Sequence, residues 1–245
     1  MAKCLTSLFL TLVLLLPAAL PAAGQGATAA QRPTVGLVLS GGGARGFAHI
    51  GVLKVLEENR VPVDYVGGAS IGGLIGALYA MGYSPAEIED LISTLDWDRL
   101  FAASTSYDNL SFRRKEDRKN IPGPIPLRGK PTNPSLPSAF NSGHEIGILF
   151  DRVTLPYAAT GDFGDLPIPF ATVATNMVNG NSEVLDSGSL SRSLRATMSI
   201  PGVFAPVEID GKILSDGGLV NNIPTNVVKA MGADILLVVN IETQL

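Results

Sequence analysis

The sequence predicts an α/β domain built on a parallel sheet that helices cover on both faces. Two short, mainly apolar runs, 35–40 and 63–69, have the length of buried strands, and a glycine-rich turn with a helical pattern follows each of them. Strands that are apolar almost throughout are typical of parallel sheets with helices on both sides. The hydrophobic content of the 245-residue chain, 46%, is enough for such a core and excludes global disorder.

The alternation of strand and helix continues along the chain. The helix over 84–95 has the clearest start, because Ser84 is followed by Pro85 and Glu87, which are an N-cap, a first-turn proline and the acid of a capping box. The other predicted elements are helices over 47–58, 72–81, 143–157, 189–198 and 223–231, and strands over 169–175, 182–186, 212–215 and 234–240, with an Asn179-Gly180 turn.

The stretch from Ala102 to Ser142 interrupts this alternation. It contains six prolines, and its segment Arg113–Lys119 carries five positive and two negative residues. Long proline-rich loops within a domain are usually lids, binding loops or disordered segments. Two interpretations stay open. In the first, the segment is a loop whose charges face water. In the second, it is a lid above the Ser70 turn, and its positive charges attract it to anionic lipid surfaces.

A signal peptide is predicted over residues 1–24. Lys3 precedes the apolar run Leu5–Leu16, and Ala22-Ala23-Gly24 fits a small-residue cleavage pattern. The run is shorter than the roughly 20 residues of a membrane span, and an uncleaved anchor is the alternative. We therefore expect an exported, bacterial protein that is periplasmic, secreted or associated with the outer membrane, with one domain at 33–242. The cleavage site stays open.

Composition excludes several classes of site. The formal net charge is −4 and only 16% of residues are charged, which argues against a surface that neutralises nucleic-acid phosphates. The single cysteine, Cys4, excludes an intrachain disulfide and a cysteine-based zinc site. The sequence also has no D-x-[DN]-x-[DN]-G calcium loop. We expect neither a metal nor a cofactor.

The first motif with chemical meaning is Gly68-Ala69-Ser70-Ile71-Gly72, a G-x-S-x-G between a predicted strand and a predicted helix. A serine on such a sharp turn projects its hydroxyl from the sheet edge, and glycine at 68 and 72 removes clashes with the strand and helix. The N-terminus of the helix adds partial positive charge there. The competing interpretation is a glycine-rich packing turn.

The second motif is a glycine-rich loop where the first strand ends. Its backbone N–H groups can face an anion, and parallel strands place it on the same sheet edge as Ser70, so it can supply an oxyanion hole. The same letters fit the dinucleotide fingerprint G-x-G-x-x-G, with Asp64 as the acid. However, Asp64 begins the second strand, at the far end of the sheet. The loop residues are Gly41, Gly42, Gly43, Ala44, Arg45 and Gly46.

The third motif is Asp216-Gly217-Gly218, which by itself predicts a turn. Ser70 needs a base, and the two histidines are poor candidates: His49 is expected to pack behind the glycine loop and His144 to be exposed or capping. The order Ser70, acid, His144 leaves a triad open. The alternative is a dyad in which a partly desolvated Asp216 accepts the Ser70 proton directly.

Together these motifs resemble the patatin-like phospholipases. The signatures of that family are G-G-G-x-R-G, G-x-S-x-G and a late D-G-[AG], and all three occur here in order. Between the last two, Arg195–Pro206 is similar to the family's R-A-S-x-x-x-P-x-x-F-x-P stretch. Thr197 replaces the usual serine, a departure expected to touch no catalytic role. The resemblance covers residues 33–242.

The resemblance implies a three-layer α/β/α domain that hydrolyses lipid acyl esters of the phospholipase or lysophospholipase type. It makes Ser70 the nucleophile, Asp216 the base, and the backbone of 41–46 the oxyanion hole, with no cofactor. The expected partner is a phospholipid or other lipid ester, with transient contact to a membrane surface and none to nucleic acid. The alternative is a catalytically silent module that holds a lipid or an anion. The head group, the acyl position and the oligomeric state stay open.

Overall fold

The computed structural model of the chain describes residues 32–101, 112, 116, 128–130, 133–135 and 139–242. The predicted signal peptide at 1–24 and Cys4 lie outside these residues, and so does the charged segment 113–119 except for Glu116. The signal peptide and the lid therefore stay predictions. From residue 33 onward the chain clusters as one compact unit.

Strands β1 to β11 supply the sheets of the described residues. Seven of them form the central sheet in the order β11-β1-β2-β6-β10-β9, with β7 also paired to β6. The pairs among β11, β1, β2 and β6 are parallel, whereas β7, β9 and β10 join antiparallel. The sheet is therefore mostly parallel, as predicted. The bounds are β1 Val35–Leu39, β2 Tyr65–Gly68, β3 Arg128–Lys130, β4 Asn133–Ser135, β5 Ala139–Asn141, β6 Phe170–Asn176, β7 Ser182–Leu185, β8 Gly202–Phe204, β9 Val207–Ile209, β10 Lys212–Asp216 and β11 Ile235–Val239.

Helices cover the sheet on both faces. The α-helices are α1 Ala48–Glu58, α2 Ile71–Ala80, α3 Pro85–Thr94, α4 Trp97–Phe101, α5 His144–Val153, α6 Leu190–Thr197 and α7 Thr225–Ala230. Because side chains alternate along a strand, Leu37 and Leu39 pack into the large cluster that helices α1 to α6 share. Val38, between them, packs against Val228 of α7 on the opposite face. This arrangement gives the predicted three layers.

Local sequence signals explain several element boundaries. The side-chain oxygen of Ser84 accepts the N–H of Glu87, and a carboxylate oxygen of Glu87 accepts the N–H of Ser84 at 2.8 Å, which is the predicted capping box of α3. The helix expected over 143–157 ends instead at Val153, and a 3-10 turn, Leu155–Tyr157, follows it. Pro156 lies inside that turn, where it could not have continued the hydrogen bonding of an α-helix.

Two features differ from the sequence expectation. The stretch 102–142, expected to lack regular structure, contains the β3–β4 pair and β5, and Pro134 lies in the short two-stranded pair, where a missing N–H is tolerated. Strand β9, which was not predicted, forms a hairpin with β10. Asp210 and Gly211 at the turn of this hairpin both have positive φ. An Asp-Gly pair is typical of such two-residue turns, so it was the sequence signal for the hairpin.

Two kinds of feature are absent from the described ranges. None of the helices there is both long and apolar enough to cross a bilayer. In the same ranges, no group of three or more His, Cys, Asp or Glu side chains is arranged to hold a metal ion.

Candidate active site

The carboxyl ends of β2 and β10 converge on one edge of β6. Gly68 in β2 lies opposite Thr172, and Asp216 in β10 lies opposite Ala174. Because β7 occupies the other edge over 172–175, β2 and β10 must share the remaining edge. One runs parallel to β6 and the other antiparallel, so their ends point toward each other. The turn that follows β2 is thereby brought to the last residue of β10.

That turn holds Ser70 in a conformation that L-residues rarely adopt, with φ 52° and ψ −125°. The flanking glycines have a steric reason for their identity. A Cβ on Gly68 would lie 2.5 Å from the carbonyl group of Gly72. A Cβ on Gly72 would collide with the carbonyl oxygen of Leu39 and lie 2.5 Å from that of Ser40. The turn is therefore packed tightly between β1 and α2, as expected for a nucleophile elbow.

The Ser70 side chain is hydrogen-bonded to a buried carboxylate. Its Oγ donates to Oδ2 of Asp216 at 2.7 Å, and both residues are 6% exposed. The other carboxylate oxygen, Oδ1, accepts the N–H of Gly218 at 2.8 Å. Burial raises the pKa of Asp216, and the two hydrogen bonds partly offset that rise. The carboxylate thus has one oxygen fixed by backbone and the other aimed at the serine hydroxyl.

The glycine-rich loop lies beside the serine, as predicted. A Cβ on Gly41 would be 3.2 Å from Cβ of Ser70. The N–H of Gly41 donates to the carbonyl of Asn222 at 3.3 Å. The N–H groups of Gly42 and Gly43 have no hydrogen-bond partner among the described residues, since both lie at the start of a 3-10 helix. Gly43 has φ 58°, which favours glycine.

The rest of the loop is open to an incoming ligand on one side and packed on the other. Gly43, Ala44 and Arg45 are exposed, whereas Gly46 is buried. A Cβ on Gly46 would collide with the side chain of Ile71, the residue after Ser70. The loop is therefore fixed against the serine turn at its two ends, and its middle faces solvent.

The end of α6 contacts both members of the pair, a feature that the sequence analysis missed. Oγ1 of Thr197 accepts the N–H of Ser70 at 2.9 Å. Two residues later, the carbonyl of Ser199 accepts the N–H of Asp216 at 3.0 Å. The contact is made by the hydroxyl, which the family's usual serine also carries, so the expectation that the replacement of serine by Thr197 touches no catalytic role stays a prediction. The available signal is the similarity of Arg195–Pro206 to the family's stretch.

The buried Arg195 connects this segment to the end of the 102–142 stretch. Arg195 donates to Oγ of Ser199 at 2.6 Å and to the carbonyls of Ser142 and Ala205 at 3.2 and 2.9 Å. Its guanidinium lies 5.0 Å from the centre of the Phe204 ring. Burial lowers the pKa of Arg195 to about 10, so the group stays charged at neutral pH and continues to donate these hydrogen bonds.

The other candidate residues lie elsewhere. His49 is fully buried and hydrogen-bonds the carbonyl of Ser40 through Nε2 at 2.9 Å; burial lowers its pKa. His144 is exposed at the start of α5. Asp64 accepts the N–H of Val35 at 2.7 Å at the amino ends of β1 and β2, opposite the glycine loop. Neither histidine is hydrogen-bonded to the serine or the carboxylate, and Asp64 cannot serve a dinucleotide at that loop.

A serine on a strained strand-to-helix turn, paired with a buried carboxylate beside a loop of free backbone N–H groups, defines a class of α/β proteins with a serine–aspartate dyad geometry. Comparison with known proteins gives the family. The sequence profile of the patatin-like phospholipases matches residues 37–229. The chain belongs to the patatin-like phospholipase family.

Individual relatives agree with this assignment. The chain is 33% identical over 207 residues to lysophospholipase NTE1 of Yarrowia lipolytica, covering 84% of this chain and 12% of that protein. It is 35% identical over 213 residues to human patatin-like phospholipase domain-containing protein 6, covering 86% and 14%. The crystal structure of VipD from Legionella pneumophila superposes with a TM-score of 0.54 at 19% identity, over 85% of this chain and 50% of that one, and shows the shared fold. The chain thus spans about an eighth of the length of the Yarrowia lipolytica and human relatives, and half of the VipD chain.

Proposed function

We propose that this domain is a lipid acyl hydrolase in which Ser70 is the nucleophile and Asp216 the general base. The 2.7 Å hydrogen bond from Ser70 Oγ to Asp216 Oδ2 carries the proposal. A general base must lie within hydrogen-bond reach of the proton that it removes, and this distance satisfies that condition without an intermediary. The raised pKa of Asp216 supports the role, because a buried carboxylate is a stronger base than an exposed one.

The proposed reaction has two halves. Ser70 Oγ attacks the ester carbonyl carbon while its proton passes to Asp216. The tetrahedral intermediate then collapses, the C–O bond to the alcohol breaks, and Asp216 returns the proton to the leaving oxygen. In the second half, water gives a proton to Asp216 and attacks the acyl-serine, and the fatty acid leaves as Ser70 regains the proton.

The glycine loop is the proposed oxyanion site. Gly41 lies against Ser70, and the next two N–H groups, those of Gly42 and Gly43, have no hydrogen-bond partner among the described residues. In this proposal they donate to the oxygen that becomes negative in the tetrahedral intermediate. The amino end of α2, which begins at Ile71, adds partial positive charge at the same place. This chemistry requires neither a metal nor a cofactor.

The substrate class follows from the family and from the relatives. Two of the relatives are named lysophospholipase or phospholipase, and we infer that this domain acts on carboxylic esters of phospholipids or lysophospholipids. Such substrates reside in lipid aggregates, so transient contact with a lipid surface belongs to the proposal. The charged segment 113–119 is the part of the sequence that favours such contact with anionic lipids.

We also propose export, on the strength of the apolar run Leu5–Leu16 and the small residues at 22–24. The yeast and human relatives give no support to a bacterial origin, so this part rests on the N-terminal sequence alone. Fractionation of cells that express the full chain, with N-terminal sequencing of the product, tests it. A product that retains Met1 and stays in the cytoplasm would contradict export.

A fluorophosphonate probe tests the catalytic proposal. The wild-type protein should be labelled rapidly and with one probe per chain, and Ser70→Ala should not be labelled. Mass spectrometry of a mixed phospholipid pool after incubation should then show free fatty acid and lysolipid, or glycerophosphodiester if lysophospholipids are preferred. Absence of both labelling and products would favour the silent binding module instead.

A further inference from the structure

We propose that Thr197 is a positioning residue for the nucleophile, acting through the backbone N–H of Ser70. The inference rests on the proposed function, because it concerns how Ser70 is held for attack. Thr197 is fully buried, and its Oγ1 lies 2.9 Å from the N–H of Ser70. It does not touch the reacting atoms.

The turn needs such a restraint. A non-glycine residue with positive φ is strained and persists only where its surroundings enforce the conformation. Ser70, at φ 52°, is such a residue, and its N–H donates to Oγ1 of Thr197. Loss of this partner would leave a buried donor unsatisfied and remove one of the contacts that enforce the strained angle.

The hydrogen bonds around Thr197 show which groups its hydroxyl donates to and accepts from. Oγ1 of Thr172 lies 2.7 Å from the carbonyl of Gly68 and 3.1 Å from Oγ1 of Thr197. Because a hydroxyl has one proton, Thr172 donates to Gly68, and Thr197 must donate to Thr172. Thr197 then uses a lone pair to accept from Ser70. The two hydroxyls form a directed chain that bridges the residue at the turn and the last residue of β2.

The methyl group of Thr197 contributes separately. A Cβ on Gly73 would lie 3.1 Å from Cγ2 of Thr197 and 2.6 Å from Oγ1 of Thr172. Gly73 therefore leaves the space that this methyl occupies, and a β-branched side chain packed there has a restricted χ1. The methyl holds the hydroxyl in place, and the hydroxyl holds the nucleophile.

The same segment also sets the position of the base. The carbonyl of Ser199 accepts the N–H of Asp216 at 3.0 Å and the hydroxyl of Ser215 at 2.6 Å. Residues 197 and 199, two positions apart, thus restrain the two partners of the 2.7 Å Ser70–Asp216 hydrogen bond. This explains how residues 146 positions apart in sequence keep a fixed separation.

The test compares Thr197→Val, which keeps the shape and removes the hydroxyl, with Thr197→Ser, which keeps the hydroxyl and removes the methyl. The readouts are kcat and KM on a short soluble ester and the rate of fluorophosphonate labelling of Ser70. Thr197→Val should lower kcat and the labelling rate about ten- to a hundredfold, because it leaves the buried N–H of Ser70 without a hydrogen-bond partner. KM should change by less than about twofold, and Thr197→Ser should keep at least about a third of the wild-type kcat.

Two controls separate positioning from general destabilisation. Thr154→Val removes another buried hydroxyl, which donates to the carbonyl of Phe150 at 2.7 Å in α5. It should lower Tm without changing kcat. Thr172→Val leaves Thr197 in place but without its acceptor, and it should lower kcat less than Thr197→Val. If Thr197→Val does not fold, Thr172→Val and Thr197→Ser still test the hydroxyl chain.

The outcomes distinguish this inference from the proposed function. A wild-type labelling rate in Thr197→Val would overturn the positioning role, as would Thr197→Ser being as slow as Thr197→Val. A wild-type protein that neither reacts with the probe nor cleaves ester would count against the proposed function itself.

Discussion

Gly72→Ala is the sharpest steric test of the serine turn. The added Cβ would collide with the carbonyl oxygen of Leu39 and lie 2.5 Å from that of Ser40 and 2.7 Å from the carbonyl carbon of Leu39. All three atoms are backbone at the end of β1, which pairs with strands on both sides. No rotamer change relieves the contact, so either the strand end or the turn must move.

The magnitude follows from that geometry. Overpacking commonly costs about 1–3 kcal/mol where side chains can adjust, and here only backbone can, so we expect at least about 3 kcal/mol. For a domain of this size that corresponds to a fall in Tm of about 6–12 °C. Because β1 continues directly into the glycine loop, the shift should displace Ser70 from that loop, and activity on a soluble ester should fall at least about a hundredfold.

Gly51→Ala is the matched control. Gly51 lies within α1, and a Cβ there would meet no atom within 4 Å. Alanine should raise the stability by about 0.5–1 kcal/mol through helix propensity and leave the activity unchanged. The assay is thermal unfolding by circular dichroism beside initial rates. A Gly72→Ala protein with wild-type Tm and wild-type kcat would refute the packing argument.

Four further outcomes follow from the site. Ser70→Ala and Asp216→Asn should each remove nearly all hydrolysis, and the double variant should be scarcely worse, whereas His144→Ala should stay close to wild type; a loss of about a thousandfold in His144→Ala would require a triad. The base must be ionised, so kcat/KM should fall as the pH drops through a pKa above the usual value of Asp, about 3.9, and a limb at or below that value would contradict the raised pKa of Asp216. Gly43→Val forces φ 58° on a β-branched residue and should lower kcat more than it raises KM in steady-state assays; a pure KM effect would indicate ground-state binding. The lowered pKa of His49 means that the unfolded chain binds the extra proton first, so the free energy of unfolding should decrease as the pH falls below about 6.5, and urea titrations of His49→Gln should lose that part of the pH dependence.

The sequence predicts the part of the site that is formed by the ends of neighbouring parallel strands. The carboxyl ends of two parallel strands, β1 and β2, lie at one edge of the sheet, so the sequence alone predicts that the glycine loop and Ser70 lie together. Asp216 could not be placed this way. It ends an antiparallel strand that meets β2 partway along β6, and nothing in the pattern of Lys212–Ser215 reveals its partner or its direction.

The missed features share a physical cause. Strands of three residues such as β9 are too short for a two-residue period to be read, although the turn at Asp210-Gly211 marked the hairpin. The contacts of Thr197 depend on the packing of α6 against β6, β10 and α2. That packing joins residues more than a hundred positions apart, and no local periodicity reports it.

The space between Ser70 and Asp216, as well as the absence of histidine hydrogen bonds to them, favours a dyad over a triad. The chain has two histidines, and the structure describes both. His49 is held by a backbone carbonyl beneath the glycine loop, and His144 is exposed on α5. An imidazole between serine and carboxylate would need both of its nitrogens within hydrogen-bond reach of separate partners. At 2.7 Å, the Ser70 and Asp216 oxygens leave no room for a ring between them. A triad with Asp216 as its acid would therefore require the Ser70–Asp216 hydrogen bond to break and a histidine to move from its position in the structure.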